Sequence, residues 1–233
     1  MTNDLPPSVL NISLFGSSVR GDTDLNSDVD VLVVVRDGSG KTPEEGVLRF
    51  LGSALTGRPS ISWYGENKMT GMFKSGDLFA WHLFLESSAF DPFPDVGHMF
   101  GRPADYRTAC EDIFELREIL LGVGDQARLS PHNAVFELGV LYVCARNIAM
   151  SATWHLTPKP YFGRYSPFKI PTIPFSLSMR EYDLLVACRM AGQRGISPPP
   201  EACQRHALGL HEKLVPWCDD VLREVSVSAK TRK

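Results

Sequence analysis

The sequence has few cysteines, and no two of them have the C-x-x-C spacing of a metal site. The five cysteines are odd in number and scattered: Cys110, Cys144, Cys188, Cys203 and Cys218. Zinc sites and disulfide frameworks need clustered or paired cysteines. The sequence therefore predicts free, buried thiols on helices rather than either kind of site.

The chain also lacks a long apolar run and a dense stripe of positive charge. No run approaches the roughly 20 apolar residues that cross a bilayer, and residues 1–7 do not resemble a signal peptide. Residues 1–100 carry a net charge of −6 and residues 101–233 a net charge of +3, without the basic stripe of a nucleic-acid binder. We therefore expect a cytoplasmic protein with neither a membrane nor a nucleic acid as its partner.

Hydrophobic patterning predicts strands in the first half of the chain, with one covering helix. That helix has an N-cap at Thr42, Pro43 at its first position, and an end near Leu55. Gly65 to Gly76 is predicted to be a hairpin or loop. Strands are predicted at residues 8–15, 28–35, 61–64 and 78–86.

The second half has apolar residues at helical spacing. Four helices are predicted, at residues 104–121, 130–155, 178–193 and 200–225. Pro216 is expected to kink or divide the last of them. We predict an α+β protein, with a small mixed sheet and flanking helices over residues 1–100 and an all-helical bundle over residues 101–233.

Two carboxylates stand at the start of the second predicted strand, which runs on as five apolar residues. Asp28 and Asp30 point to the same face, because side chains on a strand alternate. Two adjacent carboxylates repel each other, and a divalent cation removes that conflict. Mg²⁺ prefers one or two carboxylates completed by substrate phosphates, so the pair predicts a magnesium site.

The first predicted strand ends in a glycine-serine turn. Gly16 and Ser17 have little side-chain bulk, so backbone N–H groups and a hydroxyl can reach phosphate oxygens. Arg20 could bring its guanidinium to the same phosphates, or could be a solvated loop residue. That the turn and the carboxylates face each other does not follow from their spacing alone.

The Gly16-Ser17 pair, ten intervening residues and Asp28-Val29-Asp30 together resemble the signature of the nucleotidyltransferase superfamily related to DNA polymerase β. The resemblance implies a mixed sheet with flanking helices, with an NTP and Mg²⁺ as cofactors. It also implies transfer of a nucleoside monophosphate to an acceptor, with release of pyrophosphate. Gly16 and Ser17 would then hold the triphosphate, and Asp28 and Asp30 would bind metal.

The family usually adds a third carboxylate on a neighbouring strand. In the predicted strand 78–86, His82 stands where that acid is expected, between Trp81 and Leu83. Glu86 could replace it only if the strand bends or changes register. Two alternatives stay open for each residue: His82 is a core histidine or a ligand of metal or phosphate, and Glu86 is a surface acid or a catalytic one.

The second half resembles the all-helical companion domains of these transferases, including the HEPN type. Arg146-Asn147 is similar to the start of the HEPN ribonuclease motif, but the histidine that should follow is absent, since residues 151–153 are Ser, Ala and Thr. We therefore expect no ribonuclease activity. The bundle is expected to close the cleft and hold the acceptor.

The sequence thus predicts a Mg²⁺-dependent enzyme that transfers a nucleoside monophosphate to a hydroxyl of a small molecule or protein. AMP from ATP is the first choice. The alternative is a degenerate transferase fold that binds a nucleotide or a partner as an antitoxin-like regulator. A homodimer is expected only if an apolar face of the bundle stays uncovered.

Overall fold

The computed structural model describes residues 5–23, 27–39, 43–52 and 57–231. The chain forms two compact units, residues 1–107 and residues 108–233. The first unit contains a small sheet with helices, and the second contains long helices. The fold is therefore α+β, as the sequence predicts.

A four-stranded mixed sheet organises the first unit. Its strands lie in the order β3, β2, β1, β4. β1 is antiparallel to both β2 and β4, while β2 and β3 are parallel. The strands are β1 (Val9–Phe15), β2 (Val29–Val35), β3 (Pro59–Gly65) and the short β4 (Ser87–Ala89).

Helices cover both faces of this sheet, because β2 is apolar on both sides. On one face Leu32 and Val34 pack with Phe15 against α3 (Glu66–Ser75) and α4 (Leu78–Glu86). On the other face Val31 and Val33 pack against α2 (Glu44–Leu51). Two short helices complete the unit, α1 (Ser17–Arg20) and α5 (Val96–Phe100).

Two predictions for this unit are wrong. Residues 66–75 form helix α3 instead of a hairpin or loop, and residues 78–86 form helix α4 instead of a strand. Gly76, at φ 72°, ends α3, and the Asp77 side chain accepts a hydrogen bond from the N–H of Phe79 at 2.7 Å, which caps α4. The two caps join the helices with almost no linker.

The predicted cap and end of the covering helix, Thr42 and Leu55, lie outside the described residues. The described part, α2, has glutamates in its first turn and a basic residue in its last. Both charges suit the helix dipole.

The second unit contains the four predicted helices. They are α6 (Ala109–Leu129), α7 (Ala134–Leu156), α8 (Met179–Arg194) and α9 (Gln204–Thr231). α9 is a single helix that contains Pro216, so of the two expected effects of Pro216 the division is wrong, and the kink stays a prediction. α7 packs against the other three helices and is the core of the bundle.

By length and composition alone, residues 131–156 could cross a membrane, but 61% of their most apolar window is buried inside the unit. A central bundle helix has this character, because it is apolar on all sides. Three cysteines, Cys144, Cys188 and Cys218, are buried free thiols as predicted, whereas Cys203 is exposed just before α9.

The proline-rich stretch between α7 and α8 is packed by its aromatic side chains. Phe162 is fully buried, and Tyr165, Phe168 and Phe175 surround the buried ring of Tyr182. The Tyr182 hydroxyl donates to the carbonyl of Arg164 at 2.7 Å. This stretch therefore belongs to the core of the bundle.

Candidate functional site

The glycine-serine turn and the carboxylate pair meet at one end of the sheet. Phe15, the last residue of β1, pairs with Asp30 of β2, and Gly16 follows at φ 71° and ψ −137°. A Cβ at Gly16 would lie 3.0 Å from Asp30 Oδ2. Both the backbone conformation and the close approach therefore require glycine at this position.

Asp28 and Asp30 are both half-buried. Asp30 is the second residue of β2, whereas Asp28 lies just before the strand and not at its first position as predicted. The strands on either side of β2 are β1 and β3, and neither contains a carboxylate. The third carboxylate expected from the family resemblance is therefore absent from both neighbours of β2.

Among the residues that the structure describes, no three His, Cys, Asp or Glu side chains form a group that could hold a metal ion. The donor set at this end of the sheet is a carboxylate pair, and the absent Cβ of Gly16 leaves space beside Asp30. Two carboxylates suit one Mg²⁺ that takes its remaining ligands from phosphate oxygens and water. They do not suit a cation held by protein ligands alone.

A second cluster adjoins the turn and consists of Arg20, Glu86 and His82. Glu86 Oε2 lies 2.5 Å from Arg20 Nη1 and 3.1 Å from His82 Nε2. Because α4 is a helix, His82 and Glu86 are four residues apart on one face and can meet. The wrong strand prediction would have separated them by about 13 Å along the strand.

This cluster is tied to the turn in three ways. Arg20 belongs to α1, which begins directly after Gly16. The N–H of Gly16 donates to the backbone carbonyl of Glu86 at 3.2 Å. The ring of Phe15 packs edge-on against His82 with centroids 5.7 Å apart. The end of α4 therefore supports the phosphate-binding turn predicted from the sequence.

Charge is balanced within the cluster. Burial favours the neutral acid, but hydrogen bonds from His82 and Arg20 outweigh burial and hold the pKa of Glu86 below its ordinary value. Burial also opposes the charge of Arg20, and hydrogen bonds to Asp22 and Glu86 raise its pKa above the ordinary value. Arg20 is thus a fixed cation, held from two sides.

The structure places the seven predicted site residues around one end of the sheet. It brings Gly16 against Asp30, and it joins Arg20 to Glu86 and His82. The interpretation of His82 as a histidine in the sheet is wrong, since it is a buried helix residue. Which of these side chains contact a substrate stays a prediction.

Three further residues lie at this end of the sheet and are not among the seven predicted site residues. Asp22 is the second partner of Arg20, at 3.1 Å. The Ser18 hydroxyl is buried without a hydrogen-bond partner in the described part of the chain. Ser60 of β3 is the register partner of Asp30. Only the pairing of the strands could reveal Ser60, because a single serine in a strand forms no motif.

Comparison with known proteins agrees with this geometry. The family model described as the nucleotidyltransferase domain matches residues 2–83. The match includes the turn and both aspartates and ends within α4, three residues before Glu86. A search of curated proteins gives no match to the chain. Residues 2–83 are therefore similar to the nucleotidyltransferase domain family, and a helical region follows them.

Proposed function

We propose that the protein transfers a nucleoside monophosphate, AMP from ATP as the first choice, to a hydroxyl of a small molecule or protein with release of pyrophosphate. The observation that supports this proposal best is the approach of Gly16 to Asp30, where a Cβ would lie 3.0 Å from the carboxylate. This chemistry needs a phosphate-binding turn and a pair of cation-binding carboxylates close together.

Asp28 and Asp30 would hold Mg²⁺ in the proposed reaction. When bound, this ion neutralises charge on the triphosphate and orients it for attack by the acceptor hydroxyl. The half-buried position of the two carboxylates fits this role, since partial burial strengthens their attraction for a cation.

The turn and its supporting cluster would bind the rest of the triphosphate. Gly16 and Ser17 provide backbone N–H groups with little steric bulk. Arg20 is close in the chain and is fixed by Asp22 and Glu86. A guanidinium held in this way loses little side-chain entropy when it contacts a phosphate.

Glu86 and His82 would then act through Arg20 rather than through the metal. Glu86 Oε2 already accepts a hydrogen bond from Arg20 and lies 3.1 Å from His82 Nε2, so this oxygen is engaged. This role differs from the catalytic role expected from the sequence, in which either residue could replace the third carboxylate. The two roles make different predictions for a Glu86→Gln variant.

The alternative is a degenerate domain that binds nucleotide without transferring it. The absence of a carboxylate from β1 and β3 favours this alternative. Loss of one metal ligand would reduce turnover more than nucleotide binding, because the turn and Arg20 do not depend on that ligand.

One pair of measurements separates the two functions. Magnesium-dependent release of pyrophosphate from each NTP, with a panel of hydroxyl acceptors, tests transfer. Binding of a fluorescent ATP analogue tests nucleotide recognition. The comparison uses Asp28→Asn, Asp30→Asn and a matched control, Asp105→Asn, whose carboxylate is exposed and pairs only with Arg107 among the described residues.

If the protein is a transferase, it should release pyrophosphate, both site variants should abolish this release and the control should preserve it. If the domain is degenerate, it should bind nucleotide, the site variants should weaken this binding, and no protein should release pyrophosphate from any NTP. If nucleotide binding is absent, or equal in all four proteins, both functions are wrong.

A further inference from the structure

Ser60 lies beside Asp30 and on the same face of the sheet. β3 runs parallel to β2, and its pairing places Ser60 opposite Asp30 and Tyr64 opposite Val34. Tyr64 and Val34 both pack toward α3 and α4. Side chains alternate along a strand, so Ser60, four residues before Tyr64, points to the same face of the sheet as Asp30.

Two other residues of β3 confirm that Ser60 points to the same face of the sheet as Asp30. Ile61 and Trp63 pack on the opposite face, with the cluster covered by α2. Ser60 is also exposed, so its hydroxyl is on the open end of the sheet. Neighbouring strands are about 4.8 Å apart, which puts position 60 within reach of a cation bound at Asp30.

Asp30 therefore has two neighbours across the sheet, and neither adds a negative charge. On the β1 side its partner is Phe15, a buried aromatic ring. On the β3 side its partner is Ser60, a neutral hydroxyl. A carboxylate at position 60 would have the facing, the exposure and the distance to complete a three-carboxylate site.

We infer that Ser60 sets the cation affinity of this site: with serine at this position the protein binds a free divalent cation weakly and takes it up together with the nucleotide phosphates. This inference rests on the proposed role of Asp28 and Asp30 as metal ligands. Fewer charged ligands lower the affinity for a divalent cation, and the triphosphate supplies the missing negative charge. The nucleotide–cation complex, rather than the free ion, is then the species that the protein recognises.

The inference predicts a gain of function. Ser60→Asp should bind free Mn²⁺, a spectroscopic substitute for Mg²⁺, at least about tenfold more tightly than the natural protein. Ser60→Asn is the matched control, because asparagine has the same size as aspartate without its charge. Mn²⁺ binding is measured by electron paramagnetic resonance and calorimetry, so the test does not depend on catalytic activity.

Thermal unfolding gives a second measurement. Three carboxylates at one point repel each other, so without a cation the Ser60→Asp variant should unfold at a lower temperature than Ser60→Asn. Mn²⁺ should raise its midpoint more than that of the control, because at the same concentration a ligand that binds the folded state more tightly stabilises it more.

The result that overturns the inference is equal affinity of Ser60→Asp, Ser60→Asn and the natural protein for free Mn²⁺. Tight binding of free Mn²⁺ by the natural protein, equal to its binding of the Mn²⁺–ATP complex, would also overturn it. In both cases the proposed function stands if Asp28→Asn and Asp30→Asn weaken binding of Mn²⁺–ATP. If these two variants leave that binding unchanged, the proposed metal site itself is wrong.

Discussion

Gly16→Ala tests whether the turn and the carboxylate pair form one site. The alanine would have to adopt φ 71° and ψ −137°, a region that other residues than glycine rarely occupy, at a cost of about 1–3 kcal/mol. Its Cβ would also lie 3.0 Å from Asp30 Oδ2, so the carboxylate has to move. We expect a total loss of about 2–3 kcal/mol in the free energy of unfolding of the first unit.

Gly21→Ala is the control, because Gly21 lies at the other end of α1 from Gly16 and also has a positive φ, of 77°. Apart from its two neighbours in the chain, an alanine there would have no atom of the described residues within 4 Å of its Cβ. Only the backbone cost of about 1–2 kcal/mol therefore applies. The amide hydrogen exchange of β1 and β2 reports the stability of the first unit separately from that of the helical unit.

Binding separates the two variants further. Displacement of Asp30 should weaken binding of Mn²⁺–ATP to Gly16→Ala by about tenfold or more, which corresponds to about 1.4 kcal/mol. Gly21→Ala should change this binding much less. If the two variants lose equal stability and equal affinity, the contact between position 16 and Asp30 has no role and the reasoning is refuted.

Three further changes have definite expected results. Glu86→Gln removes the negative charge that pairs with Arg20 and lies beside His82. Since the folded-state pKa of Glu86 is lowered, the stability that this variant loses is full above the ordinary carboxyl pKa of about 4.3 and is lost as the pH falls through the lowered folded-state pKa, as urea unfolding at pH 7 and at successively lower pH would show. Gly124→Ala places a Cβ 2.8 Å from the His211 ring, so it should cost about 1–3 kcal/mol by urea unfolding, and a second change, His211→Ala, should recover most of that loss. Ser178→Ala removes the N-cap of α8 and should cost about 1 kcal/mol by the same measurement, more than Ser178→Gly does.

The sequence was sufficient for the features that depend on short spacing. The turn at Gly16, the apolar strand that follows Asp28 and the existence of the four helices of the second unit agree with their patterns, although α6 begins five residues later and ends eight residues later than predicted. Each of these signals is local: a glycine between two apolar runs, a carboxylate before a valine-rich strand, or apolar residues at helical spacing.

The prediction of α4 failed because its apolar pattern has no period. Residues 78–85 include only one polar side chain, His82, so alternation and helical spacing fit equally well. The helix is covered by protein on most sides, which removes the polar stripe that would mark it as a helix. Asp77, whose side chain caps the first turn, was the local signal that favoured a helix over a strand.

The register of the sheet could not be predicted from local signals at all. The pairing of Asp30 with Ser60 joins residues that are 30 positions apart, and no motif marks Ser60. A parallel pair is fixed by the packing of the crossover helix between its strands, and the sequence of that segment does not specify which residues become partners.

The true position of α4 changes what the missing third carboxylate means. While Glu86 was assigned to a strand, it was a candidate for that ligand, and the site had at best a misplaced metal-binding acid. As a helix residue it pairs with Arg20 and lies 3.1 Å from His82 Nε2, and a metal ion would have to displace these two side chains to reach it. The position that could hold a third ligand is instead Ser60, beside Asp30. The arrangement therefore favours binding of a nucleotide that brings its own cation, and the charge at position 60 decides how strongly the protein depends on it.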